Sequence, residues 1–501
     1  MRKLSIFDLI SLGILALIVI FSAVRFNYLP QFIDGYYHLS VANGFIKSGG
    51  WVGWAWWDFA PFGRPHLYPP FYHLILTFLI KSGFSGLNAL RLTEVLIVPL
   101  FFFFLWFVSR RLTGDKIAFL ALSITSSFFA FYSSVSANVP ASLALIFGLL
   151  TWLFLKKKKW VSAAIFMSFC FYSHAGIPWM FFTSLLTVTI FNREYRKLAL
   201  KVILASIIIF MPFIFHEARY LKSIHLSRLM ESNFISFNLG VISFALVSMY
   251  LNRRNRNFAV LLFWGYFIAS ALIFIKYPYR FFCAQGFVGF AFFASLGLLA
   301  VSNYFGKKNN LFLVLISLYL FFINATVKME ENKIKFNVFD STFYSLFAQK
   351  AYEDITFRPI FSEKFYPPII KAIQQNSSTN DIISSNIIVA AQIFSSLSDR
   401  PSNSSILKEV QPENKFLYSD YAKLIVLIKP ILKEDMLKLK GKKLNLIFEN
   451  DITQVFLNRD FRYKEFTKTA PFKFVYVYLA AALIALLALY DNLWLKKPKS
   501  P

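Results

Sequence analysis

Twelve apolar runs of about membrane-spanning length divide the chain, and no other feature limits its fold as tightly. They cover roughly 6–24, 89–109, 117–135, 138–155, 160–173, 177–191, 197–215, 237–251, 257–275, 281–303, 310–327 and 471–491. A bilayer core of ~30 Å asks for ~20 apolar residues per helix, because a backbone in lipid must satisfy its own hydrogen bonds. The composition agrees: 57% of the 501 residues are hydrophobic, 62 are Phe and only 16% are charged. A soluble domain normally carries about 25% charged residues. The expectation is an all-α polytopic membrane domain of about 12 transmembrane helices.

Charge orients these helices. The formal charge is +27, and its basic clusters fall in "SRRLTGDK" (109–116), "KKKKW" (156–160), "NREYRK" (192–197), "NRRNRN" (252–257), "GKKNN" (306–310) and the tail "LKKPKSP". Placing them all in the cytoplasm follows the positive-inside rule. It requires that the short run "PPFYHLILTFLI" (69–80) not cross, so this run is expected to be re-entrant or interfacial. Both termini are then cytoplasmic. The same rule accounts for the positive charge without nucleic acid, for which no basic-aromatic module exists. Cys170 and Cys283 lie inside apolar runs and suggest neither a disulfide framework nor a CxxC metal site. The first run follows "MRK" without a small-x-small cleavage site, so it is expected to be a retained helix.

Three parts result. Residues 1–327 form the transmembrane domain, with an outer loop at 26–88 that holds the re-entrant segment. Residues 328–470 form a small extracytoplasmic α/β domain, with strand signals in "NDIISS" and "KLNLIFEN" and helical spacing in "NIIVAAQIFSSLSD". Residues 471–501 give a last helix and a basic tail.

Ionisable residues of the membrane part gather on the outer side. His38, His66, His73, His174, His216 and His225 all lie in outer loops or at outer helix ends, as do Asp34, Asp58, Glu217 and Glu231. Glu94 follows Arg91 by three residues, the spacing of a helical ion pair. Such residues at a membrane edge are costly and mark functional sites, although each one alone is ordinary for a wet loop. Asp34 opens "DGYYHLSVANGF", where it also suits helix-capping chemistry. His38 lies four residues on, one helical turn away. The loop beyond is rich in Trp, Gly and Pro, suited to lying at headgroup depth.

A first helix, then "DGYYH", a Gly/Trp-rich loop ending "PFGRPHLYPP" and a re-entrant segment together resemble the GT-C superfamily of membrane glycosyltransferases. The oligosaccharyltransferase catalytic subunit and its archaeal relatives are especially similar. "YSHAGIPWMFF" (172–182), "KYPYRFFCAQGF" (276–287) and the outer domain before a terminal helix extend the resemblance along most of the chain. It implies a polyprenyl-phosphate or pyrophosphate sugar donor, with Asp34 as base or metal ligand and His38 beside it. It further implies that Arg280 stabilises the donor phosphate and that His174 bonds phosphate or sugar. Asp58, His66 and Glu217 are further candidates for contacting substrate. A divalent ion such as Mg or Mn would have Asp34 as its only candidate ligand, and a metal-independent route is equally open.

Three departures narrow the expectation. The outer loop "YSSVSANVPASL" (132–143) has no acid where oligosaccharyltransferases carry one. Ser385, Asn386 and Ile387 stand where their sequon-reading Trp-Trp-Asp element would be. The "WWDFAPFG" string at 56–63 sits in the first outer loop, too early for that role. The expected function is transfer of a sugar from a polyprenyl-phosphate donor to a glycan, lipid or protein acceptor at the outer face of a cell membrane. An atypical oligosaccharyltransferase and a catalytically silent binder of polyprenyl lipid or glycan are the alternatives. Asn324, Asn376 and Asn403 open glycosylation sequons.

Overall fold

The computed structural model describes residues 4–30, 32–223, 235–330, 333–347, 366–406 and 420–475, together with 479, 486 and 487. The first helix is α1 (Ile6–Val24), followed by α2 (Asp34–Ser48), β1 (Gly50–Trp51), β2 (Trp54–Ala55), β3 (Arg64–Pro65) and α3 (Phe71–Lys81). The bundle continues with α4 (Gly86–Thr113), α5 (Asp115–Ser127), α6 (Phe129–Ala137), α7 (Val139–Lys156), α8 (Trp160–Ser173), α9 (Ile177–Phe191) and α10 (Arg196–Arg219). Then come β4 (Ile235–Phe237), α11 (Leu239–Leu251), α12 (Phe258–Ile273), α13 (Pro278–Phe282), α14 (Phe287–Ser302) and α15 (Asn309–Phe322).

Among the described residues, five helical stretches are long and apolar enough to cross a membrane by length and composition: Ile6–Val24, Gly86–Thr113, Val139–Lys156, Arg196–Arg219 and Pro278–Phe322. Shorter apolar helices pack among them. The run expected at 117–135 is two helices, because the chain turns extended at Phe128 between α5 and α6. The run expected at 281–303 becomes a continuous helix only at Phe287, after the short α13. The segment 69–80 is an 11-residue helix, shorter than a span.

Close helix approach depends on small residues. A Cβ at Gly265 on α12 would lie 2.4 Å from Ser184 Cα on α9, and one at Gly148 on α7 would lie 2.2 Å from the Phe181 ring. Glycine lets such backbones meet where lipid supplies no hydrophobic drive. At the other end of the bundle Asp8, fully buried on α1, pairs with Arg110 of α4 through Nη2 at 2.7 Å.

The polar region after α15 contains β5 (Thr326–Glu330), β6 (Lys333–Asn337), α16 (Thr342–Phe347), α17 (Tyr366–Gln375), β7 (Ile382–Ser385), α18 (Ile388–Ser398), β8 (Ala422–Ile428), α19 (Lys433–Leu439), β9 (Leu444–Glu449), β10 (Thr453–Asn458) and β11 (Phe472–Lys473). Four strands form a sheet in the order β7-β8-β10-β9, with β7 parallel to β8 and the other pairs antiparallel. The strand and helix signals noted above correspond to β7, α18 and β9. The position 327/328 falls inside β5, which pairs with β4 from the membrane part. Phe472 and Lys473, placed at the start of the last apolar run, instead pair as strand with Trp51 and Gly50. Most of the remainder of that run lies outside the described residues.

The polar domain holds α2 from above. Gln392 Nε2 of α18 donates to Ser40 Oγ at 2.9 Å, Asn43 Nδ2 donates to the Ser396 carbonyl at 3.0 Å, and Lys47 pairs with Asp399 at 3.0 Å. Beneath, Gly44 lets the Trp57 ring lie against the helix, since a Cβ there would sit 2.1 Å from Trp57 Cε3.

The sequons separate by burial. Asn324 is buried with its amide on the Ser127 carbonyl, and Asn403 is buried with its amide on Ser384 Oγ. Asn376 is exposed in the turn after α17. In a host that attaches N-linked glycans, peptide mass mapping of the folded protein is expected to find Asn376 occupied and Asn324 and Asn403 bare.

Candidate functional site

The candidate site is assembled from α2, the loop after it, and α3. The cap position of α2 is Ile33, which makes no side-chain cap bond; Asp34 is the first helical residue and is half-buried. It therefore does not occupy the N-cap position that the spacing allowed. One turn later His38 is 3% exposed, and its Nδ1 lies 2.8 Å from His73 Nε2 at the start of α3. The His38 ring also meets Tyr37, Tyr68 and Tyr72 with centroids 5.1–5.2 Å away. His66 completes the cluster, 5.4 Å from the His73 ring and fully buried. A half-buried His216 on α10 closes the outside by bonding its Nε2 to the His66 carbonyl at 2.9 Å.

Tyr68 links this cluster to His174, whose ring centroid is 6.2 Å away. His174 sits in the turn between α8 and α9, where its Nδ1 accepts from the Gly176 and Ile177 amides. Arg280, exposed on α13, acts electrostatically on His174. The structure thus joins His38, His66 and His174 through His73 and Tyr68. Glu217 lies half-buried at the rim, next to His216 on the last turn of α10. His225 and Glu231 lie outside the described residues.

Asp58 has a different place from the one expected. It is 1% exposed, and its Oδ2 accepts from Arg64 Nη2 at 2.8 Å, Arg64 Nε at 3.1 Å and Ser405 Oγ at 3.2 Å. Arg64 also reaches Tyr37 OH at 3.3 Å. Asp58 therefore braces the loop against α2 and the polar domain, its carboxylate engaged by Arg64 and Ser405. His66 is likewise buried, its ring against that of His73.

Sequence reading counts His73 with the gathered histidines and Glu94 as an ion-pair candidate without naming either as a site residue, and does not single out Arg64. The usable signal was "HLYPPFYH", which sets His66 and His73 on either side of a proline pair. Glu94, buried on α4, accepts a hydrogen bond from Ser136 Oγ of α6. The acid-free loop thus meets a carboxylate supplied by another helix. Tyr72, which contacts His38, bonds Thr93 Oγ1 at 2.9 Å, one residue before Glu94. No group of three or more His, Cys, Asp or Glu among the described residues is arranged to hold a metal ion. Those residues do not fit a divalent-ion site, and no step is assigned to one.

Burial governs the histidines. It pushes His38 and His174 down to about 3, with His174 adding to the effect on His38 and Arg280 to that on His174. Burial and then Arg64 hold His66 well below its usual value. All three are neutral when folded but protonate near 6.5 when unfolded. The unfolded state binds more protons in that window, so stability falls as pH drops from about 6.5 towards 3. Each histidine is expected to remove up to about 1.4 kcal/mol per pH unit there, read as a falling Tm between pH 6.5 and 5 that His38→Gln reduces.

Neither a protein-family model nor a curated protein matches the chain. Solved structures do. The archaeal oligosaccharyltransferase AglB from Archaeoglobus fulgidus, in complex with an inhibitory peptide and a dolichol-phosphate, is 12% identical with a TM-score of 0.54; the similarity covers 83% of this chain and 69% of that one. ArnT from Cupriavidus metallidurans, bound to undecaprenyl phosphate, is 12% identical with a TM-score of 0.54, over 89% of this chain and 97% of that one. The fold is that of GT-C membrane glycosyltransferases.

Proposed function

We propose that this protein is an integral-membrane glycosyltransferase that moves a sugar from a polyprenyl-phosphate donor to an acceptor at the outer membrane face. The observation that carries the reading is the shared fold: the similarity covers 97% of a protein solved with undecaprenyl phosphate, and Asp34 follows the first helix as the resemblance requires. In this reading the acceptor hydroxyl attacks the anomeric carbon and its proton passes to the Asp34 carboxylate. The bond from that carbon to the phosphate oxygen breaks, and its electron pair leaves with the polyprenyl phosphate. Such a displacement needs an activated nucleophile and a stabilised leaving charge. Arg280 supplies positive charge for the phosphate, with His174 beside it, and His38 lies one turn from Asp34. Attack opposite the leaving group inverts the anomeric centre.

Transfer to an Asn sequon is the weaker reading. Asn386, the middle of the three residues that stand where the sequon-reading element would be, is tied into the sheet end: its amide bonds the Ile428 carbonyl at 3.0 Å and its oxygen accepts from Ile428 N at 2.8 Å. The test supplies purified protein in lipid with radiolabelled polyprenyl-phosphate sugars, offering a membrane extract and a sequon peptide as separate acceptors. Label in the extract with none in the peptide is expected. Label in the peptide would reverse the order of the two readings. Donor binding without transfer to either would leave a silent lipid binder.

A further inference from the structure

Among the described residues, His73 is the hydrogen-bond partner of the His38 ring. It is fully buried, and its Nε2 lies 2.8 Å from His38 Nδ1. Two neutral imidazoles can share one bond in only two ways: either His38 donates from Nδ1 or His73 donates from Nε2. In the first case His38 Nε2 carries a lone pair. In the second it carries the proton and can donate. An anionic ligand selects the second, since a lone pair facing a phosphate oxygen is repulsive.

We propose that His73 is the positioning residue of this site: by donating its Nε2–H to His38 Nδ1, it fixes the tautomer whose Nε2–H bonds the phosphate of the donor lipid. This rests on the phosphate-donor reading above. The far side of the cluster fits the same assignment. Among the described residues, His73 Nδ1 and both ring nitrogens of His66 are buried with no hydrogen-bond partner. Native buried polar groups are almost always partnered, by ordered water where protein supplies none. Water held between His66 and His73 would donate to His73 Nδ1, which keeps the His73 proton on Nε2. Second groups of this kind commonly set which ring nitrogen of a functional histidine carries its proton.

The test uses the full chain in lipid and two readouts. Binding of a short-chain polyprenyl phosphate without sugar is compared for wild type, His73→Phe and His73→Gln, alongside Tm. Histidine 15N chemical shifts report the His38 tautomer without any need for activity. Phe fills the space without a donor and is expected to weaken binding roughly tenfold or more. Gln can donate from a similar reach and should stay within about threefold of wild type. Wild-type His38 should show a protonated Nε2, and the Phe variant should lose that preference. Wild-type affinity in His73→Phe would overturn the proposal. So would a Gln variant as weak as Phe at matched Tm, or a wild-type His38 protonated on Nδ1. If wild type fails to bind the lipid phosphate at all, the donor reading fails, and the tautomer measurement still judges the role of His73.

Discussion

Asp34→Asn is expected to lower sugar transfer by about 10²–10⁴-fold, the usual range for removing a general base. Asn keeps the size and shape of the side chain but cannot take a proton at any working pH. Asp34 sits on the first turn of α2, a helix fixed from above by Gln392, Asn43 and Lys47 contacts and from below by Trp57. The variant should therefore fold with an unchanged Tm and bind donor as before. The loss should fall on the rate and not on the donor KM, because the interaction removed develops only as the acceptor reacts. Radiolabel transfer at saturating donor measures it. The same assay with chelator tells the two roles of the acid apart: transfer that survives chelation makes Asp34 a base, and transfer that is lost makes it a metal ligand. A variant that transfers sugar at the wild-type rate would sink the assignment and leave α2 as scaffold.

The second large effect is on stability. Arg64 and Asp58 are 3% and 1% exposed and pair at 2.8 Å beneath α2. Removing one partner strands a buried charge, which costs about 3–5 kcal/mol in comparable cases, while replacing both by apolar groups is often nearly neutral. Arg64→Met alone and Asp58→Leu alone should each lower Tm strongly, and the double variant should recover much of the loss. Thermal unfolding in lipid across the four proteins gives the coupling directly. The single variants should also lose transfer, because Tyr37 and Ser405 bond to this pair and join the loop to both α2 and the polar domain. Additive effects, with no recovery in the double variant, would mean that the pair does not brace the site.

The membrane class, most of the helices and the α/β character of the outer region were legible from residue order alone. Apolar periodicity and length act locally, and a spanning backbone has few other ways to satisfy its hydrogen bonds. The short helix α3 was legible for the same reason: 11 residues cannot reach across a bilayer. Local reading failed where a break depended on distant packing. Phe128 interrupts an apolar run that composition leaves whole, and its backbone bridges to Ser341 in the polar region. Phe472 and Lys473 read as the start of a helix but pair with β1 instead.

The site divides in the same way. Sequence by itself determined that Asp34 and His38 would stand one helical turn apart, because helical spacing is set by the backbone. Only the tertiary structure decided which side chains meet. His38 finds His73 across 35 positions, and Glu94 finds Ser136 across 42, where the nearby loop has no acid of its own. Asp58 shows the limit most clearly. Its loop string makes it a candidate substrate contact, and the structure buries it beside Arg64 as a brace. A side chain's charge is written in the sequence, whereas its solvation and partners depend on which surfaces the folded chain brings together.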